Sequence, residues 1–280
     1  MRYIFLGSPE FASQVLETLI DAGMSPVALV CNPDRPAGRK KILTPPATKK
    51  LIQEKDLNIE IFQPENKQEL VALSPTLTEM ADFGIVAAYG LIIPRKFIES
   101  FKQGIIGVHP SLLPKYRGAS PIRSAMLAGE KVTGVSLFML DEKVDHGAIL
   151  AQKDVYITGQ YYEELAEELA ILSGNLLVEI LPDFKDKKIE AKEQNHEEAT
   201  STEKFTTEDA RIEFEDLKIA QGGNLGKAEQ ILRKIKAFNP EPGAFTFIDK
   251  KRTKILRARL EDSKLILEQV QKEGKKPEFV

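Results

Sequence analysis

Residues 104–120 read GIIGVHPSLLPKYRGAS, and the fold class follows from them. The apolar residues Ile105, Ile106 and Val108 predict a buried strand that ends at His109, before a rigid proline-containing turn that opens a helix. In open α/β sheets, functional groups collect at the carboxyl ends of the strands. His109 falls at such an end, so this stretch predicts both a sheet and its chemical centre.

Apolar runs on either side of this stretch alternate with helical patterns. The predicted strands are Arg2–Leu6, Val27–Cys31, Ile59–Phe62, Ile85–Ala88 and Ile105–Val108, followed by Val132–Met139 and Ile149–Ile157. A long amphipathic helix is marked by Leu165, Leu169, Leu172 and Leu176. Strands that alternate with helices favour an α/β fold with a doubly wound, mostly parallel, Rossmann-like sheet.

The chain is predicted to form two domains of unequal size. Residues 1–184 make the large α/β domain, and the polar residues 185–206 make a linker or extended crossing segment. Residues 207–280 carry one helical pattern, Ala228–Ala237, and short β-rich runs. A small open β-barrel-like domain fits this C-terminal part.

Composition is that of an ordinary globular protein, with 42% apolar residues in 280. The single cysteine, Cys31, sits in a strand pattern and favours a reducing compartment. No apolar run approaches the length of a membrane span, and the N-terminus opens directly into a strand without a signal-peptide pattern. We therefore expect a cytoplasmic protein without a membrane partner, and a monomer.

Charge is distributed unevenly along the chain. Residues 1–203 carry 22 basic and 29 acidic side chains, whereas residues 204–280 carry 17 and 13. A basic C-terminal part permits a polyanionic partner, but a difference of this size is also an ordinary surface fluctuation.

A histidine backed by a carboxylate commonly moves protons near neutral pH, and His109 has a candidate partner in Asp145. Spacing alone leaves a second interpretation open, in which His109 caps a strand and Asp145 caps a hairpin. Other chemistries are less favoured. The segment Gly7–Phe11 has one of the three glycines of a dinucleotide loop, Ser111 lacks a nucleophile elbow, and no metal-ligand spacing is present.

The segment 32–50 is rich in proline and carries six basic side chains between a strand and a helix. It is predicted to be exposed. It is either a solvated basic turn or a contact for phosphates, because an element this basic stands out on an otherwise acidic domain.

Six ordered motifs extend over nearly the whole chain. They are FLGSPEF at 5–11, DRPAGR at 34–39, AYGLIIP at 88–94, the central HPSLLPKYRG with DHGAIL, EDARI at 208–212, and AFNPEPGA at 237–244. Together they resemble the family of enzymes that move a formyl group from 10-formyltetrahydrofolate to an amine. Within it the chain is most similar to the branch that formylates methionyl-initiator tRNA for translation initiation.

This resemblance implies a role for each group of site residues. His109 stabilises the developing oxyanion and shuttles protons, and Asp145 orients it and favours its charged form. The folate donor contacts Tyr89, Gly90, Ser111, Leu112, Leu113 and Pro114. The tRNA acceptor arm contacts Arg35, Arg39, Lys40 and Lys41, and the C-terminal domain helps to hold tRNA. No metal is implied.

One position departs from the family pattern. Gly107 stands where the family has an asparagine whose amide donates to the formyl oxygen. Loss of one oxyanion donor costs about a hundred- to a thousandfold in rate. A water molecule in the space left by the glycine is expected to supply part of the missing hydrogen bond.

Two alternatives to the tRNA enzyme remain open. One is a catalytically impaired homologue that binds folate or tRNA. The other is a formyltransferase for a small amine such as an amino-sugar nucleotide, although that class has no need of the basic segment around Arg35 to Lys41.

Overall fold

The computed structural model describes residues 1–38 and 40–280, which divide into two units. The first unit comprises residues 1–118, 134–155 and 167–201, and the second comprises 119–133, 156–166 and 202–280. The domain bounds 1–184, 185–206 and 207–280 stay a prediction.

The first ten strands are, in chain order, β1 (Tyr3–Leu6), β2 (Ala28–Val30), β3 (Arg35–Ala37), β4 (Ile42–Thr44), β5 (Glu60–Phe62), β6 (Phe83–Ala87), β7 (Ile105–His109), β8 (Arg117–Gly118), β9 (Val132–Met139) and β10 (Ile149–Tyr156). Seven of them form one sheet in the order β10-β9-β7-β6-β1-β2-β5. The pairs β1–β2, β1–β6, β2–β5 and β6–β7 are parallel, and β7–β9 is antiparallel. The predicted doubly wound, mostly parallel sheet is therefore confirmed.

Strands β1, β2 and β7 are buried along their whole length. Central strands of a parallel sheet are covered on both faces, so their sequences are continuous apolar runs rather than alternating ones. Cys31 directly follows β2 and is fully buried, as expected of a core residue.

The helices of the chain up to residue 185 are α1 (Glu10–Asp21), α2 (Ala47–Glu54), α3 (Lys67–Ala72), α4 (Ser74–Met80), α5 (Arg95–Ile98), α6 (Pro121–Ala128) and α7 (Tyr162–Lys185). The apolar face of α1 is buried through Val15, Leu16 and Leu19. A left-handed Gly129 ends α6, a conformation that glycine adopts without a steric penalty.

The second unit contains α8 (Phe214–Gln221), α9 (Leu225–Phe238), β11 (Ser201–Thr202, shared with the first unit), β12 (Phe245–Ile248), β13 (Lys251–Glu261), β14 (Lys264–Lys272) and β15 (Glu278–Phe279). Its antiparallel sheet has the order β12-β13-β14-β15. This separate small sheet confirms the predicted β-rich C-terminal part.

Two features of this unit differ from the sequence predictions. Helix α8 was not expected, because it buries only Leu217 and Ala220 and so shows almost no apolar periodicity. Strand β13 is longer than the short β-rich runs predicted for this part of the chain, since a β-bulge around Arg257 shifts the alternation of inward and outward residues. Among the residues described, no helix combines the length and the apolar character that crossing a bilayer needs.

Candidate active site

The structure brings His109 and Asp145 together. His109 is the last residue of β7 and is only 4% exposed. Its Nδ1 lies 3.4 Å from Oδ2 of Asp145, and its Nε2 lies 2.8 Å from the carbonyl oxygen of Tyr116. Both ring nitrogens therefore face acceptors, and a ring that carries protons on both nitrogens satisfies both contacts.

Asp145 lies in the turn between β9 and β10, in the left-handed region with φ 48°. Its Oδ2 accepts a hydrogen bond of 2.8 Å from the backbone N–H of Gly118. The carboxylate is thus held from two sides, by Gly118 and by the ring of His109. A positive φ is unfavourable for a residue with a side chain, so the surrounding contacts must maintain this turn.

The turn that follows His109 is built around two serines. The hydroxyl of Ser111 donates to the carbonyl of Lys115 at 2.7 Å, and the hydroxyl of Ser136 donates to the carbonyl of Ser111 at 2.7 Å. Ser136 also accepts from the N–H of Leu113 and from the amide of Gln152. These side chains fix the backbone of the turn and have their hydrogen bonds in place.

The six predicted folate contacts differ in how far they are exposed to solvent. Ser111 and Leu113 are 0% and 4% exposed, whereas Leu112 and Pro114 are half-buried and keep free apolar surface. Tyr89 is only 3% exposed in the core, where burial raises the pKa of its phenol, and Gly90 beside it is exposed with φ 91°. Within the described chain the Tyr89 hydroxyl has no hydrogen-bond partner.

Gly107 pairs with Phe138 of β9 across the sheet, and the ring of Phe138 fills the space in front of it. A Cβ atom added to Gly107 would lie 2.4 Å from Cε1 and Cζ of Phe138 and 2.7 Å from Cδ1 of Leu140. Phe138 is itself buried, with 2% exposure. The expectation of a water molecule beside Gly107 is therefore wrong, because the side chains of Phe138 and Leu140 occupy the space that the water would need.

Sequence reasoning missed a residue of the 185–206 segment that contacts this site. Gln194 is 5% exposed, and its side-chain nitrogen donates to the backbone carbonyls of Asp145 and Gly147. Its side-chain oxygen accepts from Arg117. The polar, exposed neighbours of Gln194 give no periodicity, so no sequence signal marks it as buried.

The other two histidines lie against each other beside this site. The rings of His146 and His196 stack with centroids 4.1 Å apart and planes 8° apart. His146 Nδ1 contacts Oδ2 of Asp141 at 2.6 Å, and His196 Nδ1 accepts from Arg117 at 2.9 Å. His146 lies in the turn between β9 and β10, and His196 lies in the 185–206 segment.

The basic segment forms a hairpin in which β3 and β4 pair antiparallel. Arg35, Lys40 and Lys41 are exposed on it, and Arg39 lies outside the described residues. Ile42 and Leu43 are also exposed, at 63% and 65%. The base of the hairpin is held by Asp34, which accepts from Lys49 at 2.8 Å and from Gln63 at 2.9 Å.

The second unit has a pocket of about 500 Å³ in which the EDARI motif forms a wall. Arg211 pairs there with Glu208 and Glu213, and Lys234 donates to the carbonyl of Arg211. Burial lowers the pKa of Lys234. Over residues 1–38 and 40–280, no three histidine, cysteine or acidic side chains gather as a metal ion would require.

Comparisons with known proteins agree with this architecture. Residues 1–181 match the family described as formyl transferase, and residues 204–268 match the formyl transferase C-terminal domain. The chain belongs to the formyl transferase family. It is 39% identical over 259 residues to a methionyl-tRNA formyltransferase of Chloroflexus aurantiacus, with 92% of this chain and 80% of that protein covered. A methionyl-tRNA formyltransferase of Listeria monocytogenes is 37% identical over 264 residues, covering 94% and 80%.

Solved structures show the same fold at lower identity. A methionyl-tRNA formyltransferase from Clostridium thermocellum superposes with a TM-score of 0.60 at 20% identity, covering 97% of this chain and 98% of that one.

Proposed function

We propose that this protein transfers a formyl group from 10-formyltetrahydrofolate to the α-amino group of methionyl-initiator tRNA. The observation that carries the proposal is the pair formed by Asp145 with the buried His109 at the end of β7, in a chain 39% identical to a methionyl-tRNA formyltransferase. A formyltransferase for an amino-sugar nucleotide is less favoured, because the basic hairpin is present and the relatives with high identity carry the tRNA enzyme's name.

The residues next to His109 fit a folate-derived donor. Leu112 and Pro114 offer apolar surface to a flat ring, and the Ser111 and Ser136 hydrogen bonds hold the turn rigid. Tyr89 is buried, so Gly90 is the member of that pair with surface available to a ligand. The donor supplies an activated formyl carbon, and no metal is needed for the transfer.

His109 and Asp145 supply the proton chemistry. A new carbon–nitrogen bond forms at the amine, the bond to the donor nitrogen breaks, and a proton passes from the amine to the departing nitrogen. His109 reaches these atoms through Nε2 when its contact with Tyr116 exchanges for one with substrate. Asp145 holds Nδ1 and stabilises the charged ring while the proton is on it.

Gly107 makes the reaction slower than in an enzyme with a side-chain amide at this position. The filled space in front of Gly107 leaves His109 as the side chain that stabilises the developing oxyanion. Removal of one such donor costs about a hundred- to a thousandfold in rate, which slows turnover without preventing binding.

The basic hairpin contacts tRNA in this proposal. Arg35, Lys40 and Lys41 lie exposed within a short span, as contacts to consecutive phosphates require. Arg39 belongs to the same group by its sequence position. The working form is a cytoplasmic monomer, and gel filtration with and without tRNA tests its oligomeric state.

The deciding experiment is single-turnover formylation of methionyl-tRNA with 10-formyltetrahydrofolate at high enzyme concentration. We expect slow formation of formyl-methionine that depends on the donor and falls by about 10²- to 10⁴-fold in His109→Gln. Formylation of an amino-sugar nucleotide instead would favour the small-amine enzyme. Tight binding of folate and tRNA without any formyl transfer would favour the catalytically impaired homologue.

A further inference from the structure

Gln194 is buried although the residues on both sides of it are exposed. Its side-chain nitrogen donates to the carbonyls of Asp145 at 3.0 Å and Gly147 at 2.8 Å. Its side-chain oxygen accepts from Nε and Nη2 of Arg117 at 3.1 and 2.5 Å. Both N–H groups and both lone pairs of the amide are engaged, which fixes its orientation.

These partners lie on the two segments that hold the candidate catalytic pair. Residues 116 to 118 supply the Tyr116 carbonyl to His109 and the Gly118 N–H to Asp145. Residues 145 to 147 supply the carboxylate itself, from a backbone with φ 48° at Asp145. The amide of Gln194 joins the first segment to the second through the Arg117 side chain and the backbone carbonyls of Asp145 and Gly147.

We infer that Gln194 is a positioning residue for the His109–Asp145 pair. It ties the backbone of Asp145 to the strand of Arg117, so that the carboxylate keeps its contact with Nδ1 of His109. The inference rests on the proposed function where it is tested by the formylation rate. Its test by the NMR shifts of the His109 ring does not depend on that function.

The position of Gln194 is itself fixed from both ends of its segment. Lys192 pairs with Ile149 through two backbone hydrogen bonds of 2.7 and 2.8 Å. At the other end, the Thr200 carbonyl accepts from the N–H of Arg117, and the Thr200 hydroxyl accepts from the N–H of Tyr116. The segment is thus attached to both the β10 and β8 sides of the site.

A planar amide is well suited to this position. Glutamate keeps an acceptor for Arg117 but turns a second oxygen toward the carbonyls of Asp145 and Gly147, which repels them. Methionine has a similar length and supplies neither donor nor acceptor of comparable strength, so it leaves buried polar groups unpaired. Both substitutions release the Asp145 turn, and only glutamate retains the Arg117 pair.

The test compares Gln194→Met and Gln194→Glu with Asn195→Ala in the full chain. Asn195 is the neighbouring amide, exposed, and it caps only the short turn at 196–198. For each variant we would measure single-turnover formylation, binding of 10-formyltetrahydrofolate, and the ¹⁵N shifts of the His109 ring. The chain has three histidines, so these signals are readily assigned.

We expect both Gln194 variants to lose on the order of a hundredfold in single-turnover rate while donor binding is kept, because a small misplacement of a catalytic group suffices. The His109 ring shifts should move in both variants and stay in place in Asn195→Ala. Unmoved His109 shifts, or equal losses in Asn195→Ala, would overturn the inference. If the parent chain formylates nothing, the proposed function fails, and the His109 shifts still decide whether Gln194 positions the pair.

Discussion

The ring of Phe138 lies against Gly107 across the β7–β9 pair, so closely that a Cβ on Gly107 would be 2.4 Å from it. A small residue on one strand is matched by a large one on the other. The two positions therefore form one packing unit, and the chemistry available at position 107 is limited by the residue at position 138.

The first prediction follows from this packing. Gly107→Asn alone should destabilise the fold by about 1–3 kcal/mol through overpacking and should not raise the formylation rate. Phe138→Ala removes the nearest obstruction to the side chain of Gly107→Asn, and the flexible Cδ1 end of Leu140 has to shift as well. In the double variant we expect a rate gain of up to about a hundred- to a thousandfold. Chemical denaturation and single-turnover assays measure both effects.

The single variant Phe138→Ala is the control for the double variant. It should cost about 3–5 kcal/mol of stability as a core truncation and leave the rate low. A single Gly107→Asn variant that is both stable and faster would show that the Phe138 ring is free to move aside.

The second prediction concerns the catalytic pair. His109→Gln and Asp145→Asn should each reduce turnover by about 10²- to 10⁴-fold, the usual contribution of a positioned proton-transfer group. Binding of the folate donor should be nearly unchanged, since neither side chain is a predicted folate contact. His146→Gln provides a matched histidine control and should keep most activity. A comparable loss of activity in His146→Gln would contradict the assignment of the proton chemistry to His109.

The third prediction concerns the basic hairpin. Replacing Arg35, Lys40 and Lys41 by glutamine should weaken tRNA binding and make it less sensitive to salt. The slope of the logarithm of the binding constant against the logarithm of the salt concentration should become shallower by roughly 0.7 to 0.9 for each phosphate that the variant no longer neutralises. The matched control replaces Lys67, Lys96 and Lys102, which are exposed elsewhere on the first unit. An unchanged salt slope in the hairpin variant would remove this hairpin from the tRNA interface.

The fourth prediction is a pH dependence at the base of the hairpin. The hydrogen bond from Gln63 and then that from Lys49 lower the pKa of Asp34 below its ordinary 3.8. Because the pKa of Asp34 is lower in the folded than in the unfolded state, its stabilisation of the fold is complete at pH values above the unfolded-state pKa. The stabilisation is lost as the pH falls through the folded-state pKa. Urea midpoints of the parent and Asp34→Asn should therefore differ at pH 7 and converge in strong acid, whereas a constant difference would exclude this linkage.

Local sequence patterns predicted most of the fold. The seven strands of the large sheet were foreseen, the parallel ones because buried parallel strands are unbroken apolar runs, and His109 was foreseen because it ends one of them. The short strands β3, β4 and β8 were not foreseen. Helix α8 and the full length of β13 were not, since few buried residues mark the first and a bulge interrupts the pattern of the second.

The amino-acid sequence by itself determined the α/β class, the strand that carries His109, and the identity of the groups available for chemistry, because these depend on short-range periodicity and residue type. Only the tertiary structure decided that Asp145 reaches His109, that Phe138 fills the space at Gly107, and that Gln194 joins the two segments around the pair. These contacts link residues far apart in the chain, and local periodicity carries no information about which distant side chains share one volume.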